Sequence, residues 1–157
     1  MDISLKVDRP GYPIGSNMDG AIKLINAYLE AFEQLSYPPD SKLNLWCRGS
    51  SGAILAGMFA LKCKYECKIC HVKKEKESSH NGNYQPYNSE GINIVIDDFV
   101  SYGHTITKIV EHIESITLYP FTQPYKMLDL HVLMVLDWEY APKEVTDKFK
   151  HRIGKRI

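Results

Sequence analysis

The chain has 157 residues, a formal net charge of +0 and 24% charged residues. This length suits a single domain over residues 1–157, and the balanced charge excludes a global field that would draw the protein to nucleic acid or to an anionic membrane. The N-terminus carries no apolar signal segment, and no apolar run approaches the ~18 residues of a membrane span. We therefore expect a cytoplasmic protein that does not contact membranes.

The first 35 residues predict an irregular lead-in and then a helix. Proline and glycine are frequent up to residue 17, and a short strand is possible at residues 3–7. Ser16 or Asn17 can cap the helix predicted over residues 18–35. Apolar residues recur in it at helical spacing, and it ends before two consecutive prolines.

A strand, a turn and a helix are predicted over residues 42–61. The strand at residues 42–47 runs into a turn of small residues at positions 48–52. A helix that begins after such a turn offers free backbone N–H groups and the positive end of its dipole to an anion, and Arg48 adds a permanent cation. An ordinary turn has the same composition, so this segment alone leaves both interpretations open.

A strand over residues 67–72 is followed by a long polar segment that reaches about residue 89. It contains three lysines and a histidine, Lys73, Lys74, Lys76 and His80. Loops of this length in a compact α/β domain are commonly lids or binding elements. A solvated loop of mixed charge is the alternative.

The most informative segment covers residues 92–116. Its apolar run at residues 92–96 is typical of a central strand with both faces covered, and Asp97 and Asp98 follow directly. A turn then leads into a helix that Thr105 can cap. This turn is a second anion site, and carboxylates beside it can accept hydrogen bonds from sugar hydroxyls or hold Mg²⁺. The ligand indicated is a sugar phosphate.

The last part of the chain predicts one more strand and a final helix. The strand at residues 130–136 should end at the same edge as the other parallel strands, where Trp138 or Tyr140 either stacks on a planar base or closes the core. A helix starts at Pro142, and residues 148–156 make a basic tail that we expect to be solvated rather than to bind nucleic acid.

The cysteine positions favour buried thiols over a disulfide framework or a zinc site. A disulfide framework is not expected without a secretory signal. Cys63, Cys67, Cys70 and His71 lack a second Cys pair, and Cys67 and Cys70 would point to opposite faces of a strand.

The segment from Asp97 to Thr105, after four apolar residues, resembles the 5-phosphoribosyl 1-diphosphate (PRPP) signature of type I phosphoribosyltransferases. The shared pattern is a hydrophobic run, two acids, four residues, a glycine, any residue, and a threonine or serine. The turn at residues 48–52 matches the position of the family's pyrophosphate loop. The segment from Lys73 to His80 resembles the flexible catalytic loop of orotate phosphoribosyltransferase-like members.

The resemblance implies a three-layer α/β fold, with a mainly parallel sheet and helices on both faces, and a homodimer. The implied reaction transfers the phosphoribosyl group of PRPP to a nucleobase or an orotate-like substrate, with Mg²⁺ as cofactor and release of pyrophosphate. Asp97 and Asp98 would bind the ribose hydroxyls, directly or through Mg²⁺, and Lys74, Lys76 and His80 would join them in catalysis when the loop closes and excludes water. The substrate-binding residues implied are Arg48, Gly49, Ser50 and Ser51 at the pyrophosphate, Ser101, Tyr102, Gly103, His104 and Thr105 at the 5-phosphate, and also Lys73, Val100 and Trp138.

Two residues of the signature differ from the family pattern. Ser101 stands where the 6-oxopurine enzymes have an aspartate, and Tyr102 stands where a threonine commonly binds the phosphate. The alternative is therefore a regulatory module that keeps the fold and the sugar-phosphate pocket without turnover. A nucleic-acid binder that uses the basic tail has no matching motif.

Overall fold

The computed structural model describes residues 2–76, 87–116 and 128–157. In chain order its strands and helices are β1 (Asp2–Leu5), α1 (Met18–Glu33), β2 (Lys42–Cys47), α2 (Gly49–Lys62), β3 (Glu66–His71), β4 (Ile92–Phe99), α3 (His104–Ser115), β5 (Val132–Leu136), α4 (Lys143–Thr146) and β6 (His151–Arg156). None of the helices in these ranges has the length and hydropathy to cross a membrane.

The six strands form one sheet in the order β1-β6-β5-β4-β2-β3, and all neighbours in it are parallel. Parallel strands have their carboxyl ends at the same edge of the sheet. The turns that follow β2, β3, β4 and β5 are therefore brought together along that edge.

Helices cover both faces of the sheet. On one face α1 and α2 pack on strand residues such as Leu45, Ile96 and Met134. On the other face α3 and α4 pack on residues such as Val95 and Leu133. The protein is α/β with an all-parallel sheet, as the sequence predicts.

The predicted strand β2 and one of the predicted helix caps agree with the structure, whereas the predicted cap of α3 does not. The predicted strand at residues 42–47 matches β2, and Asn17, one of two predicted caps, accepts a hydrogen bond from the backbone N–H of Gly20 at 3.2 Å. Thr105 is not the cap of α3. Gly103 takes that position with a φ of 78°, which a glycine adopts without strain, so the helix begins two residues earlier than predicted.

The basic tail is solvated only in part: the side chains of Lys148, Lys150, Lys155 and Arg156 are exposed, but residues 151–156 belong to the sheet. The helix at Pro142 is a single turn, and the chain then forms β6 between β5 and β1. Ile153 is fully buried, and the Arg152 Nε lies 2.8 Å from Oδ1 of Asp2. The strand was missed because its burial depends on pairing with the first strand of the chain, whereas its own sequence is mostly basic.

Candidate functional site

A cleft of about 300 Å³ opens at the carboxyl edge of the sheet. It is bordered by the turns that enter α2 and α3, by the end of β4, and by Lys74 from the loop after β3. Tyr12 from the N-terminal segment closes one side. The cleft therefore joins the segments that the sequence singled out.

Two adjacent carboxylates line this cleft because β4 contains a bulge. The register against β5 shifts between Ile96 and Phe99, so Asp97 and Asp98 together stand opposite the one residue Val135. Adjacent side chains of a regular strand point to opposite faces, whereas a bulge re-aims them. Asp97 and Asp98 are only 6% and 7% exposed.

The acidic pair is held by backbone and side-chain hydrogen bonds. Oδ1 of Asp97 accepts the N–H of Asp98 at 2.9 Å, and Oδ1 of Asp98 accepts the N–H of Phe99 at 2.8 Å. Below them the hydroxyl of Tyr28, from α1, donates to the carbonyl oxygen of Asp97 at 2.9 Å. Each carboxylate still has a second oxygen that can bind a hydroxyl or a metal ion.

Burial and the neighbouring carboxylate change the protonation of this group. Burial, followed by the charge of Asp98, raises the pKa of Asp97 well above its ordinary value, and the cation of Lys74 opposes the shift. Burial and the nearby acids also raise the pKa of Tyr28. Its hydroxyl therefore stays protonated and remains a donor.

Two helix N-termini open into the cleft without side-chain caps. Arg48 precedes α2 and Gly103 precedes α3, and neither makes a side-chain cap hydrogen bond. By contrast, Asn17 caps α1. The first-turn N–H groups of α2 and α3 thus remain for an anion, and the positive ends of both helix dipoles favour one.

Lys74 lies directly above the start of α2. Its Nζ is 3.4 Å from the position that a Cβ would take at Gly49, whose φ is 78°. A larger residue at Gly49 would crowd this amine and strain the backbone. Together with Arg48, Lys74 places two cations beside the two carboxylates.

Most of the predicted site residues meet in the cleft. They are Arg48, Gly49, Ser50, Ser51, Lys74, Asp97, Asp98, Val100, Ser101, Tyr102, Gly103, His104 and Thr105. Lys73 instead lines an adjoining groove towards α3, with Arg48 and Lys108. Lys76 borders neither space, and His80 lies outside the described residues.

Trp138 closes the core rather than lining the cleft. It is 9% exposed and packs with Val145 and Phe149, and the Arg152 guanidinium lies 4.7 Å from its ring centroid. Of the two alternatives for this residue, the structural one is observed. Tyr12, which is 80% exposed, is an aromatic residue of the cleft that no local sequence signal marked.

The N-terminal segment reaches the cleft because β1 pairs with β6. Beyond β1, Arg9 forms an ion pair with Asp137 at the end of β5, and its guanidinium lies 4.4 Å from the ring centroid of Phe99. Burial alone would raise the pKa of Asp137, but hydrogen bonds from Arg9 and Arg156 outweigh it and lower the pKa. These contacts fix the segment that carries Tyr12 across the sheet edge.

No protein-family model matches the chain, and no curated protein matches it significantly in sequence.

A metal ion in this cleft would depend on its substrate for ligands. Within residues 2–76, 87–116 and 128–157, no group of three or more His, Cys, Asp and Glu side chains could hold a metal ion. Asp97 and Asp98 offer two carboxylates. Mg²⁺ commonly takes one or two carboxylates and completes its shell with water and substrate phosphates, so the pair fits Mg²⁺ that arrives with a phosphorylated ligand.

Proposed function

We propose that this protein binds PRPP with Mg²⁺ and transfers the phosphoribosyl group to a nitrogenous base, releasing pyrophosphate, on a type I phosphoribosyltransferase-like fold. The observation that carries the proposal is the meeting of two uncapped helix N-termini and an acidic pair in one cleft. PRPP has a phosphate at one end, a diphosphate at the other and sugar hydroxyls between them. Its charges and hydroxyls thus match the donors and acceptors of the cleft.

Each part of the substrate has a counterpart in the protein. The turn at residues 101–105 binds the 5-phosphate at the N-terminus of α3, and residues 48–51 bind the pyrophosphate at the N-terminus of α2. Asp97 and Asp98 accept hydrogen bonds from the ribose hydroxyls, directly or through Mg²⁺. Lys74, above Gly49, faces the pyrophosphate.

In the reaction a ring nitrogen of the base releases its proton to solvent and forms a bond to C1 of the ribose, while the bond from C1 to the pyrophosphate oxygen breaks. The electron pair of that bond leaves with pyrophosphate, and positive charge develops on the ribose. Arg48, Lys74 and the helix N-termini stabilise the growing negative charge of the leaving group, and the acids hold the sugar in place. Bound Mg²⁺ would neutralise further charge on the diphosphate.

Tyr12 is the residue that we assign to the acceptor side of the cleft. Its exposed ring offers a flat apolar surface on which a planar base can stack. Stacking on the base, which the sequence analysis considered for Trp138 or Tyr140, is therefore assigned to Tyr12.

Isothermal titration calorimetry with PRPP tests the proposal. We expect Mg²⁺-dependent binding to the wild type and a loss of more than ~100-fold in affinity in the Asp97→Asn, Asp98→Asn double variant, because each charge-assisted hydrogen bond contributes about 1.5–3 kcal/mol. Asp40→Asn, an exposed carboxylate outside the cleft, is the control and should bind normally. A wild type that does not bind PRPP, or a double variant that binds equally well, would refute the proposal.

A non-catalytic PRPP- or nucleotide-binding regulatory module is the second candidate. Tyr102 favours it, since this residue of the phosphate turn is 81% exposed and replaces the threonine that the family commonly uses there. Pyrophosphate release should be measured with PRPP and a panel of nucleobases and orotate. Release with any acceptor supports the transferase, whereas intact PRPP binding without release supports the regulatory module.

A further inference from the structure

Two cysteines meet at the amino edge of the sheet, opposite the cleft. Cys63 directly follows α2, and Cys67 lies in the edge strand β3. Their Sγ atoms are 3.0 Å apart, although the residues are four positions apart in the chain. Both side chains are half-buried, whereas Cys47 and Cys70 are buried.

We propose that Cys63 and Cys67 form a reversible redox pair, which a hydroperoxide oxidises to an intramolecular disulfide. A disulfide requires the two sulfurs to approach to about 2.05 Å, so a movement of about 1 Å from the observed 3.0 Å closes the bond. Both sulfurs also lie near the carbonyl oxygen of Tyr65, at 3.4 and 3.5 Å, which holds them on the same side of the turn. This inference is independent of the function proposed for the cleft.

A small oxidant can reach Cys63. The residue lines a second cleft, of about 360 Å³, between the C-terminal half of α1 and the turn from α2 to β3. Cys67 does not line that cleft. We therefore assign Cys63 as the attacking thiol and Cys67 as the resolving thiol.

The chemistry balances with the hydroperoxide as the two-electron oxidant. The Cys63 thiolate attacks the O–O bond, which breaks, and the sulfur becomes a sulfenic acid while the other oxygen leaves as an alcohol, or as water from hydrogen peroxide. The sulfur of Cys67 then attacks the Cys63 sulfur, loses its proton and expels water. Two thiols lose two hydrogens in total, and a dithiol reductant reverses the change.

The environment of the pair favours this division of roles. The hydrogen bond with Cys67 lowers the pKa of Cys63 to about 7, against burial, which would raise it. The same bond raises the pKa of Cys67 and keeps it protonated. The charged groups around them are Lys62 at the end of α2, Lys64 on the turn, Glu30 and Glu33 on α1, and Glu66 on β3.

The other two thiols provide an internal comparison. Burial raises the pKa of Cys47 and of Cys70 to about 12. Thiolate is the reactive form of cysteine, so both residues should resist oxidation in the folded protein.

Peptide mapping of the oxidised protein tests the proposal. The fully reduced chain is treated with a slight excess of hydrogen peroxide, alkylated, and digested without reductant for mass spectrometry. We expect two of the four cysteines to remain as thiols, and a Cys63–Cys67 link that dithiothreitol removes. Cys63→Ser and Cys67→Ser should lack the link, and the matched control Cys70→Ala should keep it. Four unreacted thiols, a link to Cys47 or Cys70, or a sulfinic acid at Cys63 without a link would overturn the proposal.

The pH dependence of alkylation tests the pairing without oxidation. The rate at which iodoacetamide modifies Cys63 should rise with a midpoint near pH 7 in the wild type. Cys67→Ala removes the hydrogen-bond donor, so the midpoint should move up towards the ordinary thiol pKa of about 8.5. Cys70→Ala should leave it unchanged. An equal midpoint in wild type and Cys67→Ala would contradict the role given to Cys67.

Discussion

Tyr28 is a single buried side chain that positions the acidic pair. The bulge takes Asp97 and Asp98 out of the regular ladder, and the Tyr28 hydroxyl satisfies the carbonyl oxygen of Asp97. Its position below the carboxylates links α1 to the cleft.

We expect Tyr28→Phe to lower both stability and PRPP affinity. The unpaired carbonyl should cost about 1–3 kcal/mol, measured by urea denaturation, and the loosened bulge should weaken PRPP binding in calorimetry. Tyr65→Phe is the matched control, because its hydroxyl donates to the Tyr37 carbonyl at 3.1 Å away from the cleft. It should lose stability alone. Equal PRPP affinity in wild type and Tyr28→Phe would show that this hydroxyl has no positioning role.

Asp97 makes the stability of the fold depend on pH in an unusual direction. Because burial raises its pKa in the native state, the folded protein binds a proton that the unfolded chain has already released. The free energy of unfolding therefore falls as pH rises from the unfolded carboxyl pKa, about 3.9, to the higher pKa of the folded state.

Asp97→Asn should consequently be more stable than the wild type at pH 8, although we expect it to bind PRPP more weakly. Asparagine keeps an oxygen for the N–H of Asp98 and carries no charge to bury. Thermal denaturation from pH 3 to pH 8 should show the stabilities of wild type and variant converging at acidic pH. There Asp97 is protonated in both the folded and the unfolded wild type, so neither protein buries a charge at this position. If the variant were less stable than the wild type at pH 8, the ionised Asp97 carboxylate would be stabilised by its surroundings in spite of its burial, which would contradict this prediction.

At the scale of elements, β6 is an integral strand whose geometry requires glycine. Gly154 has a φ of 114°, and a Cβ there would lie 1.9 Å from the carbonyl oxygen of Val135. Its carbonyl oxygen also accepts the N–H of Asp137 at 3.1 Å. The strand thereby ties the C-terminal residues to the end of β5.

Gly154→Ala should destabilise the protein by about 3 kcal/mol or more, since both the backbone conformation and the contact with Val135 oppose a side chain. The matched control is Gly57→Ala in α2, where the added Cβ would meet no atom within 4 Å other than its chain neighbours and the backbone of its own helix, and where alanine favours the helix by up to about 1 kcal/mol. Urea denaturation of the two variants should move in opposite directions. A neutral Gly154→Ala would contradict the pairing of β6.

At the scale of the whole molecule, α2 has more apolar surface than the sheet covers. Leu55 and Phe59 are buried, Ile54 and Met58 are half-buried at the edge of the core, and Leu61 is 89% exposed, so part of the apolar surface of α2 stays accessible on its outer face. A helix that is apolar all round is normally buried. We propose that this outer face packs against a second copy of the chain, in line with the homodimer that the family resemblance implies.

Sedimentation velocity should then show a dimer that Leu61→Glu weakens at least ~10-fold, because a buried unpaired carboxylate is costly at an interface. Ile157→Glu, which changes another exposed apolar residue, 77% exposed and remote from α2 in the chain, is the control. A monomer at all concentrations, or a dimer that Leu61→Glu leaves intact, would contradict the proposed interface.

Local sequence patterns account for several of the elements. The strand β2, the helices α1 and α3, and the turn that precedes α3 are marked by apolar periodicity and by small residues, which depend on neighbours a few positions apart. The turn predicted at residues 48–52 is mostly helical, because α2 already begins at Gly49. Most of the candidate site follows from them, because parallel strands bring their carboxyl ends to one edge.

The remaining features arise from contacts between segments that are distant in the chain. Tyr28 and Asp97 are 69 positions apart, Tyr12 enters the cleft because β1 pairs with β6 at the other end of the chain, and the bulge arises from the register of β4 against β5. Each depends on contacts between distant segments, which side-chain periodicity does not encode. For that reason the sequence located the two carboxylates, whereas only the fold explains how both come to face one cleft.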